Sequence, residues 1–536
     1  MGRIVLDGIN LSIEDVVNAA RNHYEVAIDE QCMNKIATVR EYMEREWMRD
    51  DAPAVYGFNT GLGKHKDHKV PLEESIDHQY RTVLSHCGGV GEPAPIEVVR
   101  AAMTVRLNAF CRGVSGLRPV VVNRLLSMLN ADVVPVVPWQ GSVGACGDLA
   151  PMAHIVSVLV GVPQAEAFFK GERMPAREAL KAAGLEETFE LHAKDALALL
   201  NGTTLFAGMA CLNVYDAERL YKISEITTAL SLEAMRGETR AFDPRIQEVR
   251  PYDGQKKAAA NVLRVVEGST RVTEDCRKVH SDYDIMHPVY QERVQDVYSL
   301  RCFPQVQGIC RENLTYIKHL INVEINAATD NPLIFKKNDS DHMEFLSGGN
   351  FHGEPTGFAM DLLTMSIAEI GNIADRRCFT LCDPTLSYGL PLALAGEPIG
   401  LNYGYNIICC SVSALASENK TLCFPAVCDN IPTKASQEDH VSMAPWATRK
   451  CKLAIKNLEK ILGIELLLAS RGIWLSKDLL KDFHLGKGSQ AAYDMVTERI
   501  NFTVEDQYMG NQSKATIDLV ESGKLLKAVE DAIGTL

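Results

Sequence analysis

The residues with the clearest chemical potential lie in the stretch 141–151, which reads Gly-Ser-Val-Gly-Ala-Cys-Gly-Asp-Leu-Ala-Pro. Its glycines permit a sharp turn, and Asp148 is a suitable N-cap for a following helix. The small residues also allow the backbone nitrogen of Gly147 to approach the carbonyl carbon of Ala145 and close a five-membered ring. Loss of the side-chain heteroatom of Cys146 would then leave an exocyclic methylidene, a strong electrophile. The stretch is therefore either a capped turn or the source of an electrophilic group.

This stretch resembles the Gly-Ser-x-Gly-Ala-Ser-Gly-Asp-Leu-Ala-Pro signature of the aromatic amino acid ammonia-lyase and aminomutase family. In that family the Ala-Ser-Gly core becomes a methylidene-imidazolone (MIO) group. Seven further segments match the family in its order: Tyr56 to Gly61, Ser85-His86, Leu200 to Thr203, Tyr298 to Arg301, Asp330 to Leu333, Gly349 to His352 and Gln437 to His440. The resemblance implies a helical homotetramer whose active sites draw loops from three subunits, with the MIO group and no metal or nucleotide cofactor.

The chain departs from the family at the centre of the signature, where Cys146 stands in place of serine. A thiol can leave by β-elimination as hydrogen sulfide much as a hydroxyl leaves as water. The resemblance therefore implies an MIO group formed from Ala145, Cys146 and Gly147. The alternatives are an unprocessed tripeptide with a weak or inactive enzyme, or an alteration introduced at this position.

The resemblance assigns the proton transfers to two tyrosines. Eliminating ammonia from an amino acid is slow because the β-proton is weakly acidic and the free amine is a poor leaving group. By resemblance, Tyr56 takes the β-proton and Tyr298 assists proton transfer near the electrophile. Since a tyrosine with a pKa of about 10 is a poor base at neutral pH, we expect a positive field, for example from helix N-termini, to lower the pKa of Tyr56.

Five further residues are assigned to the active site by the same resemblance, Asn201 as a catalytic residue and the other four as substrate-binding residues. Arg301 is expected to clamp the substrate carboxylate, because a planar guanidinium matches it with two hydrogen bonds. Asn201 and Gln295 are expected to hydrogen-bond the electrophile and hold it in place. By the same resemblance, Phe351 in the matching segment 349–352 lines the substrate pocket, and Asn406 stands where the family has an apolar pocket residue.

Two positions indicate the substrate. The pair Ser85-His86 resembles that of histidine-specific lyases, and so does the pair Gln437-Glu438. A carboxylate opposite an imidazole can accept the ring N–H and stabilise positive charge on it, whereas a phenyl ring offers no such contact. His86 and Glu438 therefore predict a histidine ammonia-lyase, which converts L-histidine to trans-urocanate and ammonia in histidine catabolism.

Other positions keep alternatives open. Asn406, Phe424 and Gln247 each replace a residue that is usual in histidine lyases. A related MIO-dependent lyase or 2,3-aminomutase acting on another amino acid, such as tyrosine, fits the same motifs. A protein of another class, a non-catalytic homologue that binds an amino acid or a partner, would result if Cys146 does not mature.

Composition limits the partners and the compartment. With 55 Lys+Arg against 69 Asp+Glu, the net charge of −14 argues against nucleic acid. No apolar run reaches the roughly 18 residues of a membrane span, and the N-terminus lacks a signal-peptide core. Fifteen cysteines without CxxC pairs favour a reducing compartment, so we expect a cytoplasmic protein. The pair His65 and His68 lies in a Lys-rich polar segment without a third ligand, which predicts a solvated loop rather than a metal centre.

The elements that must position these residues are mostly helices. Stretches poor in proline and rich in Ala, Leu and Met predict long helices over 204–236, 309–329, 358–377, 407–421 and 447–470. Apolar residues around most of their circumference predict burial in a bundle or between subunits. We expect a mainly α protein of the ammonia-lyase/fumarase-like type, with a mixed, loop-rich N-terminal domain over 1–203, a central bundle over 204–472 and a helical appendage over 473–536.

Overall fold

The computed structural model describes residues 2–49, 51–284, 286, 289, 293–338, 341–433 and 436–536. Within these ranges the secondary structure consists of twenty α-helices and nine short β-strands, with a few 3-10 turns. The prediction of a mainly α protein is confirmed. No helix in these ranges is long and apolar enough to cross a membrane.

The chain divides into two compact units, and unit 1 comprises Met1–Tyr215, Ile317–Asp361 and Pro425–Arg449. Its helices are α1 Ile13–Arg21, α2 Glu30–Trp47, α3 Ser75–His86, α4 Ile96–Phe110, α5 Pro119–Asn130, α6 Leu149–Val160, α7 Ala176–Ala182 and α8 Asp195–Leu200. Its strands are β1 Arg3–Leu6, β2 Glu25–Ile28, β3 Val90–Pro93, β4 Val133–Pro135, β5 Pro138–Gln140, β6 Glu166–Phe169, β7 Glu172–Pro175, β8 Leu333–Lys336 and β9 Met343–Leu346. They form a parallel pair β1-β2, antiparallel pairs β3-β5 and β8-β9, and the antiparallel sheet β4-β6-β7.

Unit 2 comprises Asp216–Tyr316, Leu362–Phe424 and Lys450–Leu536. Its own helices are α10 Pro244–Glu248, α11 Asp253–Val265, α12 Glu274–Lys278, α13 Tyr298–Arg301, α16 Asn406–Leu422, α18 Lys487–Thr497, α19 Met509–Glu521 and α20 Lys524–Ile533. The remaining helices have residues in both units: α9 Thr204–Ala234, α14 Phe303–Glu324, α15 Glu354–Cys382 and α17 Ala444–Leu475.

A helix buried on nearly every face lies in the core of unit 1. In α4, every residue from Val98 to Phe110 is buried, including two arginines, Arg100 and Arg106. The Arg100 guanidinium donates to the backbone oxygen of Ala19 and to the Asp132 carboxylate, each at 2.8 Å. Buried charges are tolerated only when they are paired in this way, so α4 is held rigidly and can position its second arginine.

The core of unit 2 contains a fully buried ion pair. Arg377 on α15 donates to Glu465 on α17, with Nη2 and Oε2 2.9 Å apart and both side chains fully buried. Thr227 and Ser231 on α9 also donate to this carboxylate, at 2.7 and 2.9 Å. Removing one partner of such a pair would strand the other charge, so these contacts join the three helices tightly.

The five predicted long helices are present, and three of them begin earlier than predicted for one reason. α14, α15 and α17 each have proline as their second residue, Pro304, Pro355 and Pro445. The sequence prediction began these helices only after the proline, at 309, 358 and 447. Proline is tolerated in the first turn because the N–H that it lacks would have no partner within the helix there. The division of the chain at 203/204 and 472/473 stays a prediction.

Candidate active site

A cavity of about 1430 Å³ in unit 1 brings together most of the predicted site residues. Its walls include Tyr56, His86, Ala145, Cys146, Asn201, Phe351 and Glu438. Gly147 is buried directly beside Cys146. These residues come from widely separated parts of the chain, so the matching segments that carry them lie close together in space.

Hydrogen bonds from two other segments hold the two residues that precede the tripeptide Ala145-Cys146-Gly147. The backbone oxygen of Val143 accepts from the backbone nitrogen of Met443 at 2.9 Å. The backbone oxygen of Gly144 accepts from the nitrogen of Gly353 at 3.1 Å and from Ser442 Oγ at 3.0 Å. The turn is therefore fixed by the residues just before α17, Ser442 and Met443, and by the residue just before α15, Gly353.

The glycines that flank Ala145 and Cys146 leave no room for a side chain. Gly147 has a φ of +68°, and a Cβ there would lie 1.9 Å from the backbone oxygen of Gly202. Gly144 has a φ of +72°, and a Cβ there would lie 2.4 Å from Ser442 Oγ. The sharp turn predicted from the glycines is confirmed, and it depends on the positive φ that glycine adopts without strain.

Asp148 caps a different helix from the one expected. The sequence suggested that its side chain would cap α6, which begins at the next residue, but it makes no such bond. Its Oδ2 instead accepts from the backbone nitrogens of Leu205 and Phe206, at 2.8 and 3.2 Å, at the start of α9. Burial raises the pKa of Asp148 to about 8, although these two N–H groups and Arg106 act to lower it. Asp148 therefore joins the tripeptide to the N-terminus of α9.

The side chain of Cys146 is in direct contact with Glu438. Cys146 Sγ donates to Glu438 Oε1 at 2.7 Å, and Thr433 Oγ1 donates to Glu438 Oε2 at 2.7 Å. The backbone nitrogen of Thr433 also donates to the oxygen of Glu438 at 2.8 Å. The residue predicted to recognise the substrate thus lies beside the residue predicted to form the electrophile.

Tyr56 lies near the same groups but does not have the lowered pKa that was expected. Its Oη accepts from the backbone nitrogen of Gly63 at 3.0 Å, which favours the phenolate. Burial outweighs this contact and raises the pKa of Tyr56, and the charges of Cys146 and Glu438 raise it further. The expectation of a lowered pKa is therefore wrong for this chain by itself, because desolvation and nearby negative charge both oppose the phenolate.

His86 and Asn201 are positioned by neighbouring backbone. His86 is the last residue of α3, and its Nδ1 lies 2.8 Å from the backbone oxygen of Thr82, so Nδ1 carries the proton and donates. Arg106 donates to the backbone oxygen of Asn201 at 2.6 Å and also to that of Ala198, which fixes the turn after α8. Asn201 Oδ1 is buried and accepts no hydrogen bond from the described residues.

Sequence reasoning missed two residues that position the site. Arg106 supports the turn that carries Asn201, and Thr433 orients Glu438. An arginine inside the otherwise apolar helix α4 was the available signal, because a charge in such a setting requires a buried partner. Thr433 left no comparable signal.

The exposed pair His65 and His68 lies on the rim of this cavity, with ring centroids 6.1 Å apart. Both belong to a polar loop that includes a short 3-10 turn over Gly63–His65. The prediction of a solvated loop is confirmed.

The other predicted site residues, Gln295, Tyr298, Arg301 and Asn406, belong to unit 2. Gln295, Tyr298 and Asn406 are exposed. The Arg301 guanidinium lies 4.6 Å from the centroid of the Tyr298 ring, and its Nε donates to the backbone oxygen of Asp296 at 3.0 Å. Arg301 and Tyr298 are therefore stacked on each other in unit 2.

Two of the departures from the histidine-lyase pattern also lie in unit 2. Gln247 is buried and its Nε2 donates to the backbone oxygen of Ala241 at 3.1 Å, which is a structural contact within the unit. Phe424 is 83% exposed.

Comparisons with known proteins agree on one family. The family model described as "Aromatic amino acid lyase" matches residues 11–498. A histidine ammonia-lyase of Caldanaerobacter subterraneus subsp. tengcongensis is 43% identical over 531 residues, which cover 99% of each chain. Among solved structures, tyrosine aminomutase from Streptomyces globisporus has a TM-score of 0.91 at 31% identity, with 100% of this chain and 99% of that chain covered. The histidine ammonia-lyase of Trypanosoma cruzi has a TM-score of 0.86 at 32% identity, with 99% and 96% covered.

The raised pKa of Asp148 predicts a pH-dependent stability. The folded chain keeps this proton up to a pH of about 8, whereas the unfolded side chain loses it near its ordinary pKa of about 3.9. The folded state therefore binds more protons in this window, and the contribution of Asp148 to stability falls as pH rises from about 4 to about 8. Asp148→Asn cannot titrate, so its urea midpoint should fall less between pH 5 and pH 8 than that of the unaltered chain. Asp439→Asn, at an exposed carboxyl, is the control; equal slopes for Asp148→Asn and the unaltered chain would contradict the assignment.

Proposed function

The chain belongs to the aromatic amino acid lyase family and is an ammonia-lyase, and from this premise we propose that its substrate is L-histidine. The reaction is the non-oxidative deamination to trans-urocanate and ammonia, a step of histidine catabolism. Similarity to histidine ammonia-lyases at 38–43% identity over nearly the full chain supports this substrate. The observation that carries it is the presence of His86 and Glu438 in the cavity that also contains the tripeptide.

The residues of the tripeptide fit the group that the family implies. Gly144 and Gly147 adopt positive φ and allow the close approach of neighbouring backbone and side-chain atoms, so the backbone around Ala145 and Cys146 can make the sharp turn that ring closure needs. Asn201 Oδ1, buried beside the tripeptide without a hydrogen bond from the described residues, is a polar atom that a new neighbour could satisfy. We therefore assign the MIO group to Ala145, Cys146 and Gly147. This group supplies an electrophile that takes up the substrate amine and makes ammonia a better leaving group.

Glu438 changes its partner when the tripeptide matures. Ring closure between the nitrogen of Gly147 and the carbonyl carbon of Ala145 releases water. Cys146 then loses its α-proton and its sulfur together as hydrogen sulfide. The donor that contacts Glu438 Oε1 at 2.7 Å leaves with that sulfur. The carboxylate, still held by Thr433, can then accept the imidazole N–H of the substrate.

The remaining cavity residues bind and deprotonate the substrate. His86 presents Nε2 as an acceptor once Nδ1 donates to Thr82. Phe351 supplies an apolar wall, and Tyr56 is the base for the β-proton. Because burial raises the pKa of Tyr56 in this chain, its phenolate must be stabilised by groups from outside the chain.

This requirement supports a homotetramer in which each active site draws on three subunits. Tyr298, Arg301, Gln295 and Asn406 are the residues that one chain supplies to the sites of its neighbours. Tyr298 is 71% exposed, far more than expected for an aromatic proton-transfer residue in a completed site. Arg301 binds the substrate carboxylate and Gln295 hydrogen-bonds the electrophile.

An aminomutase is the second candidate. The structural similarity to a tyrosine aminomutase favours it, since an aminomutase on the same motif set would return ammonia to the β-carbon. Product chromatography after incubation with histidine and with tyrosine separates the two reactions: urocanate supports the lyase, and a β-amino acid supports the aminomutase.

We place the protein in the cytoplasm. All fifteen cysteines are free thiols, and Cys382 and Cys409 remain unlinked although their sulfur atoms are 3.0 Å apart. Such a pair is compatible with a reducing compartment. The net charge of −14 is unsuited to nucleic acid, and the small-molecule substrate is the expected partner.

Glu438→Gln should lower kcat/KM for histidine by about 10- to 100-fold, because a hydrogen bond to a charged group contributes about 1.5–3 kcal/mol. Turnover of phenylalanine, whose ring has no N–H to donate, should fall much less. Asp439→Asn removes the same charge from the adjacent cavity-lining residue and is the matched control. An equal fold-loss of activity with histidine and with phenylalanine would show that Glu438 does not recognise the imidazole.

Intact mass spectrometry should show a deficit of one water plus one hydrogen sulfide relative to the encoded chain, because Cys146 loses sulfur rather than oxygen. Cys146→Ser should keep activity and lose two waters instead. Cys146→Ala should show neither the full deficit nor activity, since alanine has no leaving group. A full-mass chain that still converts histidine would overturn the mechanism, and a full-mass inactive chain would leave only a non-catalytic homologue.

Mixing Tyr56→Phe chains with Tyr298→Phe chains, each inactive alone, should recover activity after subunit exchange. A random hybrid restores about a quarter of the sites, because each of two independent positions is intact in half of the cases. Native mass spectrometry checks the tetramer and the exchange. Complete exchange without recovered activity would mean that both tyrosines of a site come from one chain.

A further inference from the structure

Three potential metal ligands meet on one wall of the cavity. The ligand atoms of His352, Glu354 and His440 all lie within 4.8 Å of one another. His352 and His440 line the cavity, although they are 88 positions apart in the chain. Their ring centroids are 5.4 Å apart, with an angle of 39° between the ring planes. All three residues belong to unit 1.

The two nitrogens of His352 have different partners. Nε2 lies 3.4 Å from the backbone oxygen of His440, a contact in which Nε2–H donates. Nδ1, which then carries a lone pair, lies 3.8 Å from Glu354 Oε2. A histidine that donates one N–H to a backbone carbonyl and presents its other nitrogen beside a carboxylate has the arrangement typical of a metal ligand. His352 Nδ1 and Glu354 Oε2 are then two hydrogen-bond acceptors that face each other, an arrangement that favours a positive charge between them.

Glu354 has an oxygen that needs such a charge. Its Oε2 is buried and accepts no hydrogen bond from the described residues. A buried carboxylate oxygen left without a partner costs free energy, on the order of 1–3 kcal/mol or more. A cation bound at this oxygen would supply the partner that it lacks.

From these contacts we propose that His352, Glu354 and His440 bind one divalent transition-metal ion on the cavity wall. Two imidazoles and one carboxylate are a donor set suited to Zn²⁺ and to Co²⁺, whereas Mg²⁺ and Ca²⁺ favour sites built from oxygen alone. Three protein ligands leave at least one coordination position for water or for a ligand in the cavity. The ion is additional to the MIO chemistry, and this proposal goes beyond the sequence analysis, which expected no metal.

The sequence could not indicate this site because its spacing differs from the familiar motifs. His352 and Glu354 are two positions apart, and His440 arrives from another segment. The histidine pair that does have a familiar spacing, His65 and His68, lies on the rim of the same cavity without a described acid between its rings. That pair is therefore a matched control with two histidines and no carboxylate partner.

Co²⁺ titration of the metal-free full-length protein tests the proposal without reference to activity. Visible d–d bands should saturate at one ion per chain, without the near-ultraviolet sulfur-to-cobalt band that any of the fifteen cysteines would produce. Zn²⁺ should displace the signal and excess Mg²⁺ should not. Because the readout is metal binding, its failure would leave the proposed histidine reaction untouched.

Variants identify the ligands. His440→Ala and Glu354→Gln should each weaken Co²⁺ binding by at least about tenfold, whereas the double variant His65→Ala, His68→Ala should retain it. His440 is exposed, so its replacement should leave the urea midpoint unchanged and the fold intact. Unsaturable binding, a dominant sulfur band, or full affinity in His440→Ala would each overturn the proposal.

Discussion

The absence of space between Gly147 and the backbone oxygen of Gly202 is the constraint on which the site depends. Any Cβ at position 147 would lie 1.9 Å from that oxygen, so the tripeptide must press its bare backbone against the turn that follows α8. Arg106 on α4 holds this turn by donating to the backbone oxygen of Asn201. The residue after the tripeptide, Asp148, accepts hydrogen bonds from the first N–H groups of α9. Three buried helices thus hold one short loop in place. A loop held in place favours a backbone cyclisation, because less conformational entropy is lost when the nitrogen of Gly147 approaches the carbonyl carbon of Ala145.

The same contacts explain what could and could not be predicted from the sequence. The turn at 141–151 and the meeting of Tyr56, His86 and Glu438 were predictable, because motif residues of a family converge when the fold is shared. The partner of Asp148 was not, since local capping rules favour the adjacent helix and the true partner lies 57 positions away. The early starts of α14, α15 and α17 were missed because the prediction favoured stretches poor in proline, although a first-turn proline loses no hydrogen bond. Long-range contacts and end effects, rather than the identity of the elements, account for these errors.

The residues of unit 2 show a different limit of sequence reasoning. Motif order assigns Tyr298 and Arg301 to a site, but spacing along a chain carries no information about which copy of the chain completes it. The two side chains are already stacked, with the Arg301 guanidinium over the Tyr298 ring, so their relative geometry does not depend on a bound substrate. An arginine stacked in this way loses less conformational entropy when it binds a carboxylate. A pre-arranged pair on an exposed surface is consistent with the proposed exchange of residues between subunits.

Cys146 also makes it possible to distinguish matured from unprocessed chains. Its sulfur lies on the cavity wall against Glu438, and on the proposed maturation that atom departs for good. A finished chain would then carry one thiol fewer than the fifteen that are encoded. The number of titratable thiols per chain would then distinguish unprocessed polypeptides from matured ones. A serine in the same place would leave no such record, because its departing atom is indistinguishable from solvent water.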